Sequence, residues 1–188
     1  MSNLTERSAL ISVFNKDGIE KIARKLVDFK IKIISTGGTE KYLNSRGIKT
    51  EKVENLTNYP SIFGGRVKTL HPKIFGGILH RRELDDDIHE RNKFKIPSID
   101  FVIVDLYPFE ETVAAGGDYA TCVENIDIGG PAMIRAAAKN HGFVTTVVDV
   151  QDYEALLAEL DAQDGQTSYA FRQKMAQRAY SHTAGYDA

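Results

Sequence analysis

Ser8-Ala9-Leu10-Ile11-Ser12-Val13-Phe14-Asn15-Lys16-Asp17-Gly18 sets an apolar run against a polar turn, and Ile19, Ile22, Ala23, Leu26 and Val27 follow it at helical spacing. That is a strand, a loop and a helix. Residues 29–34 alternate as a second strand, the turn Ser35-Thr36-Gly37-Gly38-Thr39 follows, and 40–46 read as a short helix stopped by Gly47, where glycine relieves left-handed strain. The pattern begins again at 48–53. Residues 101–106 form an apolar run broken only by Asp105, as expected of a strand buried on both faces, and 143–148 form another. Between and after them, 132–139 read as a close-packed helix and 153–160 as an amphipathic one. A last helix is expected over 167–180, with Phe171, Met175, Ala176 and Ala179 as its apolar stripe. Strands alternating with helices over a core of about 8–160 give an α/β fold with a mainly parallel central sheet flanked by helices. Ligands of such sheets sit beyond the carboxyl ends of the strands, which is where the Lys16 turn, the Ser35 turn and the segment after Leu106 should meet.

Composition narrows the partner. The 188 residues fit one domain, and a net charge of −2 favours neither nucleic acid nor a membrane surface. Cys122 is the single cysteine, which excludes an internal disulfide and a multi-cysteine metal site and suits a reducing cytoplasm; it reads as a buried apolar thiol on a helix. The polar start from Met1 to Arg7 has no apolar signal region, and no apolar run approaches the ~20 residues of a membrane span. The acidic run over 83–87 reads as a solvated turn.

Three segments carry chemistry. Ser35-Thr36-Gly37-Gly38-Thr39 opens a helix, where unpaired N–H groups and the macrodipole favour a phosphate; the alternative is a plain turn with Thr36 or Thr39 as N-cap. In Gly64-Gly65-Arg66-Val67-Lys68-Thr69-Leu70-His71-Pro72, cations two apart in extended chain project the same way, which calls for an anion between them. Asp127-Ile128-Gly129-Gly130-Pro131 leads into a helix with proline in its first turn, and Arg135 and Lys139 share one of its faces. The alanines 136–138 argue that this helix lies close to another backbone.

RVKTLHP, IDIGG and RAAAKNH, read with Asp105-Leu106-Tyr107-Pro108-Phe109 and the ending Ser181-His182-Thr183-Ala184-Gly185-Tyr186-Asp187, closely resemble the inosine monophosphate (IMP) cyclohydrolase domain of the bifunctional purine-biosynthesis family that also carries an aminoimidazole carboxamide ribonucleotide (AICAR) formyltransferase. The resemblance implies a three-layer methylglyoxal-synthase-like fold and dehydrative ring closure of formyl-AICAR to IMP, without metal or redox cofactor. Its partners would be those nucleotides, with a homodimer left open. It implies that Ser12, Asn15, Lys16, Ser35, Thr36, Gly37, Gly38, Thr39, Arg66, Lys68, Thr69 and Gly129 hold the nucleotide, and that Asp105, Leu106, Tyr107, Asp127 and Ile128 face its base. It makes Lys139 the proton carrier; the chemistry itself, which calls for a held rotamer, moved protons and a stabilised oxyanion, assigns Lys68 with Tyr107 to the formyl oxygen and Asp127 to orienting the carboxamide. A lysine of ordinary pKa ~10.4 is neutral in about one molecule in 2,500 at pH 7, so Lys139 would need a strongly lowered pKa to act as a base. The chain departs from the family at Asp105, usually asparagine, at Phe75, often histidine, and at Phe14-Asn15, more usually Ser-Asp. No formyltransferase domain is expected in residues 1–188. Two other readings share the Ser35 turn: methylglyoxal synthase, which has no use for a base-binding floor, and a non-catalytic nucleotide-binding regulatory module, which has no use for Lys139.

Overall fold

A computed structural model describes residues 6–188; the first five residues of the expected polar start lie outside the described residues. Five parallel strands, β1 (Ser8–Ser12), β2 (Lys32–Ser35), β3 (Glu51–Lys52), β4 (Phe101–Val104) and β5 (Thr145–Val147), form one sheet in the order β3-β2-β1-β4-β5. The helices are α1 (Ile19–Asp28), α2 (Gly37–Asn44), α3 (Val53–Thr57), α4 (Pro72–Leu79), α5 (Asp85–Lys93), α6 (Phe109–Ala114), α7 (Tyr119–Glu124), α8 (Gly129–Lys139), α9 (Tyr153–Ala162) and α10 (Tyr169–Asp187). The α/β fold class and the sheet with helices on both sides are as the sequence indicates.

Alternation along the strands builds the three layers. In the central strand β1, Ala9 and Ile11 face one side with Ile33, Phe101 and Ile103, where they pack on Ile22 and Leu26 of α1 and Leu156 and Leu160 of α9. Leu10 faces the other side with Ile34, Val102 and Val104, against Ile74 and Ile78 of α4, Ile134 and Ala137 of α8 and Ala179 of α10. All these side chains are buried, and at about 25 cal/mol per Å² of apolar surface this packing holds the layers together.

Four local expectations need correction. The strand expected over 48–53 shrinks to Glu51–Lys52, and Val53 already opens α3. Residues 29–31 are not strand: Phe29 caps α1 and Lys30 turns at φ 59°, so β2 starts at Lys32. The acidic residues 85–87 are the first turn of α5 rather than a loop, a place where carboxylates complement the helix dipole. Cys122 lies on α7 but is only half-buried, with Sγ 3.4 Å from the Gly117 carbonyl oxygen. Helices α6 and α7 bury no residue, which is why no periodicity announced them. No helix among the described residues is long and apolar enough to cross a membrane.

Candidate active site

The loops that leave the carboxyl ends of β1, β2 and β4 enclose, with the Gly64–Thr69 loop and the start of α8, a cleft of about 660 Å³. Ser12, Lys16, Thr36, Gly38, Thr39, Arg66, Lys68, Thr69, Asp105, Tyr107, Asp127, Ile128 and Gly129 line it, and so do Phe14, Glu124, Asn125, Gly130 and Met133.

One wall is made for an anion. Neither threonine of the Ser35 turn caps α2: Thr36 Oγ1 is hydrogen-bonded to Ser12 Oγ at 2.7 Å, while Thr39 Oγ1 donates to the Val13 carbonyl and accepts from its amide. The hydroxyls tie the first two strand-end loops together, and α2 begins at the cleft with no side chain on its amides. Gly37, at φ 32°, lies under the Lys68 ammonium: a Cβ there would be 3.9 Å from Nζ. Lys16 donates to the carbonyls of Val13 and Phe14, which holds its ammonium at the rim. Burial pulls the Lys16 pKa below its ordinary value, and Asp105 opposes that shift.

Another part of the lining is a carboxylate with its supports, within reach of the Lys68 charge. Asp127 Oδ1 accepts from the Gly130 amide at 2.7 Å. Burial raises its pKa above the usual carboxylate value; backbone hydrogen bonds from Gly130 and Tyr107 and the charge of Lys68 pull the other way. Gly130 cannot carry a side chain, since a Cβ would fall 2.5 Å from Leu106 Cδ2 and 2.6 Å from Asp127 Oδ2. Tyr186 of α10 accepts from the Asp127 amide at 2.8 Å and points its hydroxyl at the Asn125 carbonyl, so the C-terminal helix fixes the segment that presents the carboxylate. Tyr107 stands edge-on to Phe14, with ring centroids 5.8 Å apart, and burial followed by the Asp127 charge raises its pKa. The two departures at 15 and 105 are joined through the main chain: the backbone N–H of Asn15 donates to Asp105 Oδ2 at 2.7 Å. Burial raises the pKa of Asp105, against the Asn15 bond and the charges of His182 and Lys16.

Residues 66–68 are not the extended chain expected: Arg66 has helical dihedrals (φ −62°, ψ −32°) and, instead of sharing an anion with Lys68, pairs with a carboxylate of the chain itself. Arg66 Nη2 and Glu124 Oε2 are 2.6 Å apart in an exposed pair at the cleft mouth. Water screens such a pair, so a phosphate can compete with Glu124 for the guanidinium. Sequence reasoning missed Glu124, Gly130 and Tyr186. Gly130 and Tyr186 had a signal, as parts of the 127–131 segment and of the ending quoted above, but nothing local says that Gly130 must clear Leu106 and Asp127 or that the Tyr186 hydroxyl reaches Asp127; Glu124 had none.

Several expected site residues stand behind the cleft instead of in its lining. Ser35 is buried, with Oγ donating to the Ile11 carbonyl at 2.8 Å, and Leu106 is buried against α8; Asn15 and Gly37 act through Asp105 and Lys68 as described. Lys139 is the clear departure. It is exposed on the last turn of α8, while the cleft is at the first turn, about 15 Å away along the axis at 1.5 Å per residue. Arg135 is exposed on the same face, over the Tyr180 ring at 5.6 Å, so the shared face of Arg135 and Lys139 is a solvated one. The rest of RAAAKNH is architecture: Ala136, Ala137 and Ala138 are buried, Asn140 Nδ2 donates to the carbonyls of Ile78 and His80 at 2.7 and 3.1 Å, and His141 Nδ1 meets the Ala138 carbonyl at 3.0 Å. His71 is also structural, capping α4 as Nδ1 accepts the Lys73 amide.

The MGS-like domain family model matches residues 18–132, and that of the AICARFT/IMPCHase bienzyme matches 137–188. The chain is 54% identical over 182 residues to the bifunctional purine biosynthesis protein PurH of Dinoroseobacter shibae, and 54% identical over 182 residues to that of Ruegeria pomeroyi. Each alignment covers 97% of this chain but 34% of the relative, so the chain spans about a third of the length of the curated relatives it matches. The crystal structure of ForH superposes with a TM-score of 0.84 at 34% identity, over 97% of this chain and 93% of that one.

Proposed function

The chain belongs to the MGS-like domain family, and from that premise we propose that it is an IMP cyclohydrolase, closing the ring of formyl-AICAR with loss of water. The observation that carries this reading is the pairing, in one cleft, of Lys16 and the start of α2 with Asp127 and Tyr107, the Lys68 ammonium standing over Gly37 with its charge reaching Asp127. The first suits a 5′-phosphate, and the second suits a flat base that carries amide groups. The similarity to PurH proteins supports the same reading.

The carboxamide nitrogen of the substrate attacks its own formyl carbon, so the protein's part is to hold a near-attack rotamer, move protons and stabilise an oxyanion. Asp127 orients the carboxamide, takes the proton that its nitrogen loses and returns it to the former formyl oxygen, which leaves as water with the proton of the formamido nitrogen as the ring C=N bond forms. Its raised pKa makes it a stronger base than an ordinary carboxylate. Lys68, beside it, offers a positive charge to the formyl oxygen, with the Tyr107 hydroxyl as second donor and the positive end of α8 behind them. Lys139 has no part in the chemistry of the chain that carries it. Incubation with formyl-AICAR, followed by the absorbance of IMP, tests the proposal: product with wild type and its loss in Asp127→Asn support it. Tight binding of formyl-AICAR with no product would turn the reading to a regulatory module.

A further inference from the structure

At the opposite edge of the sheet, before the amino ends of β1, β4 and β5, three guanidiniums surround a hollow of about 190 Å³. Arg172 donates to the carbonyls of His141, Gly142 and Thr167, and Arg7 to those of Gly165 and Phe29. Arg82 pairs with Asp100 and donates to the Ile99 carbonyl, but its Nε is buried with no hydrogen-bond partner among the described residues. Among the described residues Asp100 is the single carboxylate lining the hollow, and it also accepts the Ser8 amide. Glu159, the other carboxylate acting on Arg172, is engaged by the Ser168 amide.

The geometry points to a second anion site here, one that takes a phosphate-class oxyanion between Arg7, Arg82 and Arg172. A guanidinium offers more N–H donors than these bonds use, and its fork matches the oxygens of a tetrahedral anion. Peptide carbonyls satisfy hydrogen bonds without neutralising charge, so one carboxylate is left facing three cations in a partly enclosed space. Burial and the nearby Arg82 hold Arg172 below its ordinary pKa, as expected of cations crowded without enough counter-charge. The Thr145 and Thr167 hydroxyls, 2.7 Å apart on the wall, can turn toward such a ligand. The cleft cannot account for this cluster, which lies at the far end of the strands.

The test is an amide NMR titration of the full chain carrying Lys68→Ala, which weakens the cleft, with inorganic phosphate in one arm, methyl phosphate in the other, and chloride at matched ionic strength as the control. The proposal expects saturable shifts at Gly142, Gly165 and Thr167, weakened roughly tenfold by Arg7→Gln, which leaves the Arg82–Asp100 pair intact, and by Arg82→Gln with Asp100→Asn. A tighter inorganic arm makes the ligand free phosphate, and a tighter methyl phosphate arm makes it a phosphomonoester. Shifts that chloride reproduces, or that Arg7→Gln leaves unchanged in a folded protein, would overturn the site.

Discussion

The two ends of α8 have different work. Its first turn, Gly129 and Gly130, closes on Asp127 and forms a wall of the cleft. Its last turn sends Asn140 to the carbonyls beyond α4 and leaves Lys139 in water. Glycines and lysines are equally suggestive in a sequence. What separates them here is direction: the amino end of a helix offers N–H groups and positive potential to an anion, while the carboxyl end offers carbonyls that the fold itself must satisfy.

Substitutions at the two ends should therefore fail in different assays. The largest effect is expected at Lys68, whose charge reaches the Asp127 held by the first turn: Lys68→Ala should lower turnover by about 10²–10³-fold, the scale of losing an oxyanion donor, with an unchanged melting temperature. Near-normal turnover would remove it from the chemistry. Gly130→Ala forces a methyl group against Asp127 and Leu106, and should cost about tenfold in turnover together with about 1–3 kcal/mol in urea denaturation. At the other end, Asn140→Ala should destabilise by about 1–3 kcal/mol because two carbonyls lose their donor, while the surviving folded protein keeps its Michaelis constant. Lys139→Ala should move stability by no more than about 0.5 kcal/mol and leave nucleotide binding to a single chain unchanged. A loss of turnover in that variant that varies with protein concentration would bring Lys139 in from a second chain.

The same contrast has a pH signature. Asp127 must be ionised to accept a proton, and burial has raised its pKa, so kcat/KM should climb through a value above that of an ordinary carboxylate. On the alkaline side Lys16 loses its proton below the usual lysine value of 10.5, weakening phosphate binding; Lys16→Arg should move that limb upward. A profile flat across both limits would exclude these two groups.

Most of the sheet was legible because its strands are apolar on both faces and its helices amphipathic, signals that depend on near neighbours in sequence. The cleft was legible in the Ser35 turn and the Arg66 loop, where glycines and cations are dense over a few residues. What could not be read is what packing decides. Thr36 and Thr39 look like helix caps, yet they serve as rivets between loops, their hydroxyls engaged by Ser12 and Val13 instead of the helix amides. Helices α6 and α7 have no buried stripe, so Glu124 gave no sign that it would meet Arg66. Lys139 was misplaced because a motif gives residue order without the 15 Å or so that a helix puts between its ends.

The direct test of the division along α8 is an amide NMR titration with IMP. The account predicts saturable shifts at Gly38, Thr69, Gly129 and Gly130, with Lys139, Asn140 and His141 unmoved. Shifts centred on residues 139–141, with Gly129 and Gly130 silent, would contradict it.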